Sequence, residues 1–178
     1  MISTRQTLVT SALRHAPLGL FVVTLAGFGL AAPGFLTPPN LLNILVQTSA
    51  TAIVATGMTF VLLTAGVDLA VGSVMYVAAA VAGKLLLGTG TPVAAVVVAM
   101  LGVGAFCGFL NALLIARLGI IAFIATLGAQ YLERGLGLWI TQTRAMNLPD
   151  SFAHLASARL LAVPVPLVVL LLVIAAAQ

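Results

Sequence analysis

An all-α, polytopic helical membrane protein is the fold this sequence predicts, and three observations carry that prediction. Of the 178 residues, 62% are hydrophobic and only 6% are charged, whereas a soluble domain carries roughly 25% charged residues. So little charge cannot cover a globule in water, and lipid must solvate most of the chain. No Asp, Glu, Lys or Arg lies between Arg14 and Asp68. Apolar runs long enough to cross a bilayer then recur between Pro- and Gly-rich breaks, a pattern that short alternating barrel strands do not give.

About six membrane segments follow in order. The first covers 16–36 and is closed by "FLTPPN", where Pro38-Pro39 cannot continue a helix. This run is longer than the core of a cleaved leader, and further spans follow it, so it reads as an uncleaved helix. Asn40 is placed to cap the second helix, which runs to about Leu63. The third runs from about Leu69 to Leu87 and stops at the turn "GTGTP". Pro92 suits the first turn of the fourth, which ends near Ala116 before Arg117-Leu118-Gly119. The fifth covers about 120–141, and a polar connection with a short surface helix follows over 142–159. The sixth begins near "VPVPL" and is truncated by the end of the chain, being too short to span a core of about 30 Å. No strands are expected.

The net charge of +4 is spread over seven separated Lys and Arg. Scattered basic residues suit helix ends and loops rather than a nucleic-acid surface, so no nucleic-acid partner is expected. Cys107 is the single cysteine and His15 and His154 are far apart, so neither a disulfide nor a metal site is expected, and no cofactor. Cys107 itself reads as a small buried hydrophobe. Arg5 and Arg14 beside the first helix place residues 1–15 as a cytoplasmic tail, with 16–178 as one transmembrane domain. External labelling of a cysteine at Arg5 by an impermeant thiol reagent would overturn that orientation.

Polar and small residues inside the helices are patterned. Asn40, Asn43, Gln47 and Thr51 share one face of the second helix, and Thr126, Gln130 and Arg134 share one of the fifth. In lipid such groups must face protein or a wet cavity, so they either join helices or line a path for a polyhydroxylated solute. Asn43, Gln47, Thr51, Asn111, Thr126 and Gln130 are the candidate path residues. Gly104, Gly108, Ala112 and Ala116 recur at every fourth position and read as a helix-packing seam. Lys84 and Arg134 can reach an interface by extending along their helices.

The stretch "ATGMTFVLLTAGVDLAVGS" resembles the permease subunit of bacterial ATP-binding-cassette importers for ribose, xylose, galactose and related monosaccharides. The family marker there is Gly-Ile-Asp-Leu-Ser-Val-Gly-Ser; "GFLNALLIARLGIIAFIATLG", "ERGLGLWIT" and the "LPDSF…VPVP" pattern extend the likeness over about 35–178. Ala70 stands where the marker usually has serine. Permeases of this family are roughly twice as long, and their later half carries a helix that docks on the ATPase. The resemblance therefore implies an N-terminal fragment, with 16–178 an incomplete permease domain.

The resemblance implies a translocation path for a monosaccharide across the bacterial inner membrane, without covalent chemistry in this chain. It further implies partner ATPase subunits that hydrolyse ATP, an extracytoplasmic sugar-binding protein and a second permease copy. Gly66, Asp68 and Gly72 mark a helix break, with Gly66 free to take unusual backbone angles, Asp68 capping the third helix and Gly72 admitting a neighbouring helix; direct contact of the marker with sugar or with the moving gate is the alternative. An ion-coupled secondary transporter and a non-transporting membrane scaffold are the rival functions. The first would need an ion site near the midplane, for which Asp68, at the break between the second and third helices, and Glu133 are the only intramembrane acids.

Overall fold

The computed structural model describes residues 4–150, 152, 154, 158–160 and 163–178. Its helices are α1 (Thr4–Ala31), α2 (Pro38–Leu63), α3 (Val71–Gly88), α4 (Val93–Ala116), α5 (Ala122–Thr141) and α6 (Val165–Ala176). Two short strands, β1 (Arg159–Leu160) and β2 (Val163–Pro164), precede α6. Among the described residues, four helical stretches are long and apolar enough to cross a membrane: Leu13–Ala31, Pro38–Leu63, Val71–Gly88 and Val93–Ala116. The expected fifth span, α5, has 20 residues but carries Gln130, Glu133 and Arg134 and falls outside that set. α6 is apolar but has only 12 residues, about 18 Å at 1.5 Å per residue.

The chain divides into two compact units, Met1–Thr48 and Ser49–Gln178, with the boundary inside α2. In the first unit, α1 starts at Thr4, so most of the expected tail is already helical, and it passes through Pro17. It stops at Ala31, earlier than expected, because Pro33 and Gly34 (φ +83°) turn the backbone. The Phe28 and Phe35 rings pack across this turn with centroids 5.6 Å apart. Pro38 and Pro39 then open α2, where their missing N–H groups cost nothing. Asn40 therefore lies inside the first turn and is not the cap: its side-chain amide donates back to the Phe35 carbonyl at 2.7 Å.

The second unit is built around α3, which packs most extensively on α5 and α4. Its buried apolar residues are mostly small: Ala70, Ala78, Ala80, Ala82 and Ala125, with Val77, Leu86 and Val96. Small side chains let helices approach closely, which gives dispersion contact where lipid removes the usual hydrophobic driving force. Gly137 on α5 is the tightest approach, since a Cβ there would overlap the Tyr76 ring of α3. Ala82, Leu86 and Val96 form one cluster, covered by Leu85, Val93, Met100 and Phe152. Outward-facing Leu101, Phe106, Phe109 and Trp139 are exposed, as lipid-facing residues would be.

On α4, a Cβ added at Gly104 or Gly108 would meet nothing within 4 Å among the described residues. A hairpin replaces irregular chain before α6, with Arg159 opposite Pro164 and Leu160 opposite Val163. Of the expected surface helix, residues 150, 152 and 154 are helical, and the rest lies outside the described residues.

Candidate functional site

The break between α2 and α3 begins with a left-handed cap. Ala65 takes φ 55°, Ala65 N–H donates to the Leu62 carbonyl at 3.0 Å, and Gly66 N–H donates to the Val61 carbonyl at 3.1 Å. This pair of bonds satisfies carbonyls that the helix end would otherwise leave open. The residue in the left-handed region is thus Ala65, not Gly66 as expected. Chain 66–70 then runs without helix until α3 begins at Val71.

Asp68 does not cap α3. Ala70 occupies the cap position with no side-chain bond, and the Asp68 carboxylate instead accepts the Ala70 N–H at 2.8 Å. That local loop, closed two residues on, stiffens the break and orients the chain into the helix. Thr126, 2% exposed on α5, ties the break to the next element. Its hydroxyl lies 2.8 Å from the Ala122 carbonyl and 3.2 Å from that of Val67, so one proton is divided between two acceptors.

One turn further along α3, the Ser73 hydroxyl lies 2.7 Å from the Ala70 carbonyl and 2.6 Å from Glu133 Oε2 on α5. Ser73 and Glu133 are both buried. Cys107 on α4 is half-buried and lies beside the same carboxyl group, so three helices meet at Glu133. Tyr76 and Thr141 extend the α3–α5 contact, their hydroxyls 3.4 Å apart.

Two cavities flank this framework. The larger, about 720 Å³, lies between the end of α2, the break, the C-terminal half of α4 and the start of α5. Gly66, Asp68, Asn111 and Thr126 border it, together with Gly108, Ala112 and Ala116 of the expected seam. The smaller, about 460 Å³, is bordered by Gly72, Ser73, Tyr76, Gln130, Arg134 and Leu138. Gly72 faces open space, and a Cβ there would meet nothing within 4 Å among the described residues.

The structure therefore gathers some predicted residues and not others. Asn111, Thr126, Asp68 and Gly66 converge on one cavity, while Gln130 and Gly72 border the other. Asn43, Gln47 and Thr51 are exposed on α2 and border neither. Ser73, Tyr76 and Thr141 were not singled out; their signal was present as isolated hydroxyls in an apolar chain, which must find partners. Chemically, the larger cavity offers a carboxylate, a carboxamide and main-chain groups, suited to hydrogen bonding with hydroxyls. Among the described residues, no three of His, Cys, Asp and Glu converge to hold a metal ion.

Residues 40–178 match the family described as the permease component of the branched-chain amino acid transport system. The chain belongs to this permease family. It is similar to the ribose import permease protein of Haemophilus influenzae, 35% identical over 161 residues, which is 88% of this chain and 50% of that protein. The ribose import permease of Escherichia coli K12 is 37% identical over the same shares. The D-allose transport system permease of that organism is 32% identical over 90% of this chain and 50% of its own length. The chain thus spans about half the length of these curated relatives. No solved structure gives a significant match. The resemblance seen in the marker residues and the names of these permeases agree on sugar import.

Proposed function

We propose that this permease-family chain forms part of the translocation path of an ATP-driven monosaccharide importer in the bacterial inner membrane. The observation that carries the reading is its identity of 35% to a ribose import permease along 88% of the chain. A cavity bordered by Asn111, Asp68 and Thr126, at the break between α2 and α3, supports it. The path residues supply hydrogen bonds and shape, not covalent chemistry. Work comes from ATPase subunits on separate chains, an extracytoplasmic binding protein delivers the sugar, and a second permease copy completes the path.

The test is uptake of labelled D-ribose into vesicles that contain this permease with its ATPase and binding protein. Uptake that requires ATP and persists without ion gradients supports the reading. Uptake that survives ATP depletion and collapses with the proton or sodium gradient would show the ion-coupled alternative instead.

A further inference from the structure

We propose that the cavity of about 720 Å³ beside the α2–α3 break is a monosaccharide subsite within a single permease chain, with Asn111 and Asp68 as its hydrogen-bonding pair. The inference rests on the sugar-import reading above and adds a location and two residues to it.

Asn111 carries the argument. It is 6% exposed, on a helix that is otherwise apolar, and its side chain makes no hydrogen bond to another described residue. It borders the cavity. Among the described residues no fully buried side-chain nitrogen or oxygen lacks a partner, so the Asn111 amide opens onto the cavity and is available to a polar occupant there. That amide offers two donors and an acceptor.

Asp68 borders the same space, and among the described residues its one side-chain bond is Oδ1 accepting the Ala70 N–H. The second carboxylate oxygen remains to accept a hydroxyl. Neighbouring hydroxyls on a sugar ring can donate to Asp68 and accept from Asn111 at once, which neither an acyl chain nor an anion can do. Ile115, Ile120 and Ile121 supply apolar surface for the ring's C–H face. The volume lies within the roughly 300–1,000 Å³ of small-molecule sites.

Thr126 is not one of the pair, because its single hydroxyl proton is committed to main-chain carbonyls. It fixes the wall and can offer a ligand only an acceptor.

The experiment uses the assembled importer carrying Cys107→Ser and Ala112→Cys, since Ala112 borders the cavity and is exposed. Alkylation by a small maleimide is timed with saturating D-ribose and with glycine betaine at equal osmolality. Ribose should slow labelling several-fold and betaine should not. Asn111→Leu should abolish that protection and raise the KM for ribose uptake about tenfold, the effect of losing one good hydrogen bond. Membrane abundance is measured alongside, and protection is compared per folded molecule. A cysteine at Ala112 that cannot be labelled in the importer would overturn the proposal, because protein then fills the cavity. Labelling that ribose leaves unchanged, with uptake intact, would overturn it too. Absence of ribose, fructose and allose uptake by the unmodified importer would instead sink the underlying sugar-import reading.

Discussion

The Ser73 hydroxyl of α3 lies 2.6 Å from the Glu133 carboxyl of α5, and the pair is buried where Cys107 of α4 also approaches. This bond joins residues sixty positions apart and holds the two most closely packed helices of the second unit in one register. A polar bond between helices in lipid is worth about 0.6–2 kcal/mol. Ser73→Ala and Glu133→Ala, which each remove one partner of the bond, should each lower the thermal midpoint of the detergent-solubilised protein. Their double mutant should show a coupling of about 0.5–3 kcal/mol. Strict additivity of the two single effects would mean that the bond contributes nothing.

Gly137 should tolerate no side chain. A Cβ there overlaps the Tyr76 ring, so Gly137→Ala forces the helices apart or the ring out of its rotamer. Overpacking of this kind costs about 1–3 kcal/mol. Tyr76→Ala in the same chain should recover part of the loss, by removing the obstacle. Wild-type thermal stability of Gly137→Ala alone would refute the close approach.

Ala65 and Gly66 make opposite predictions from adjacent positions. Ala65 holds the left-handed φ of 55°, a conformation that costs an L-residue about 1–2 kcal/mol and glycine little. Against this, glycine loses about 0.4–1 kcal/mol through the unfolded chain. Ala65→Gly should therefore raise the thermal midpoint slightly. Gly66→Ala should be tolerated, because Gly66 is outside the left-handed region and an added Cβ would sit 3.4 Å from Val61. A large loss in Gly66→Ala together with a loss in Ala65→Gly would place the cap one residue later.

Asp68 acts on the main chain through one acceptor oxygen. An asparagine carbonyl can accept the Ala70 N–H equally well, whereas alanine cannot. Asp68→Asn should keep normal membrane abundance and Asp68→Ala should reduce it, as read by quantitative blotting of membranes. Equal abundance of the two variants would show that the bond to Ala70 does not hold the break.

The helices were legible because each is an apolar run bounded by Pro or Gly, and those breakers act locally. Gly34, Gly90 and Gly119 do take positive φ at the breaks. Helix ends were less legible because one residue type serves two purposes: Pro38-Pro39 closes nothing that Pro33-Gly34 had not already closed, and instead opens α2. Ala65 was missed because composition favours the adjacent glycine, while the main-chain bonds select the position. Four-residue spacing states that a helix can approach α4 but not that one does, and among the described glycines the tightest approach lies instead between Gly137 of α5 and Tyr76 of α3. Within the site, Asn111 and Thr126 were legible as polar residues in an apolar chain. Their convergence with Asp68 was not, since it depends on how α4 and α5 pack against the break.

The central claim, that this permease chain serves an ATP-driven sugar importer, is tested most directly by accumulation of labelled D-ribose in vesicles holding the importer. With ATP and the binding protein present, the internal concentration should exceed the external one. Replacing ATP by a non-hydrolysable analogue should abolish that accumulation, because no differential free energy would then bias the inward and outward states. Accumulation that continues with the analogue and disappears when the ion gradient is dissipated would contradict the account.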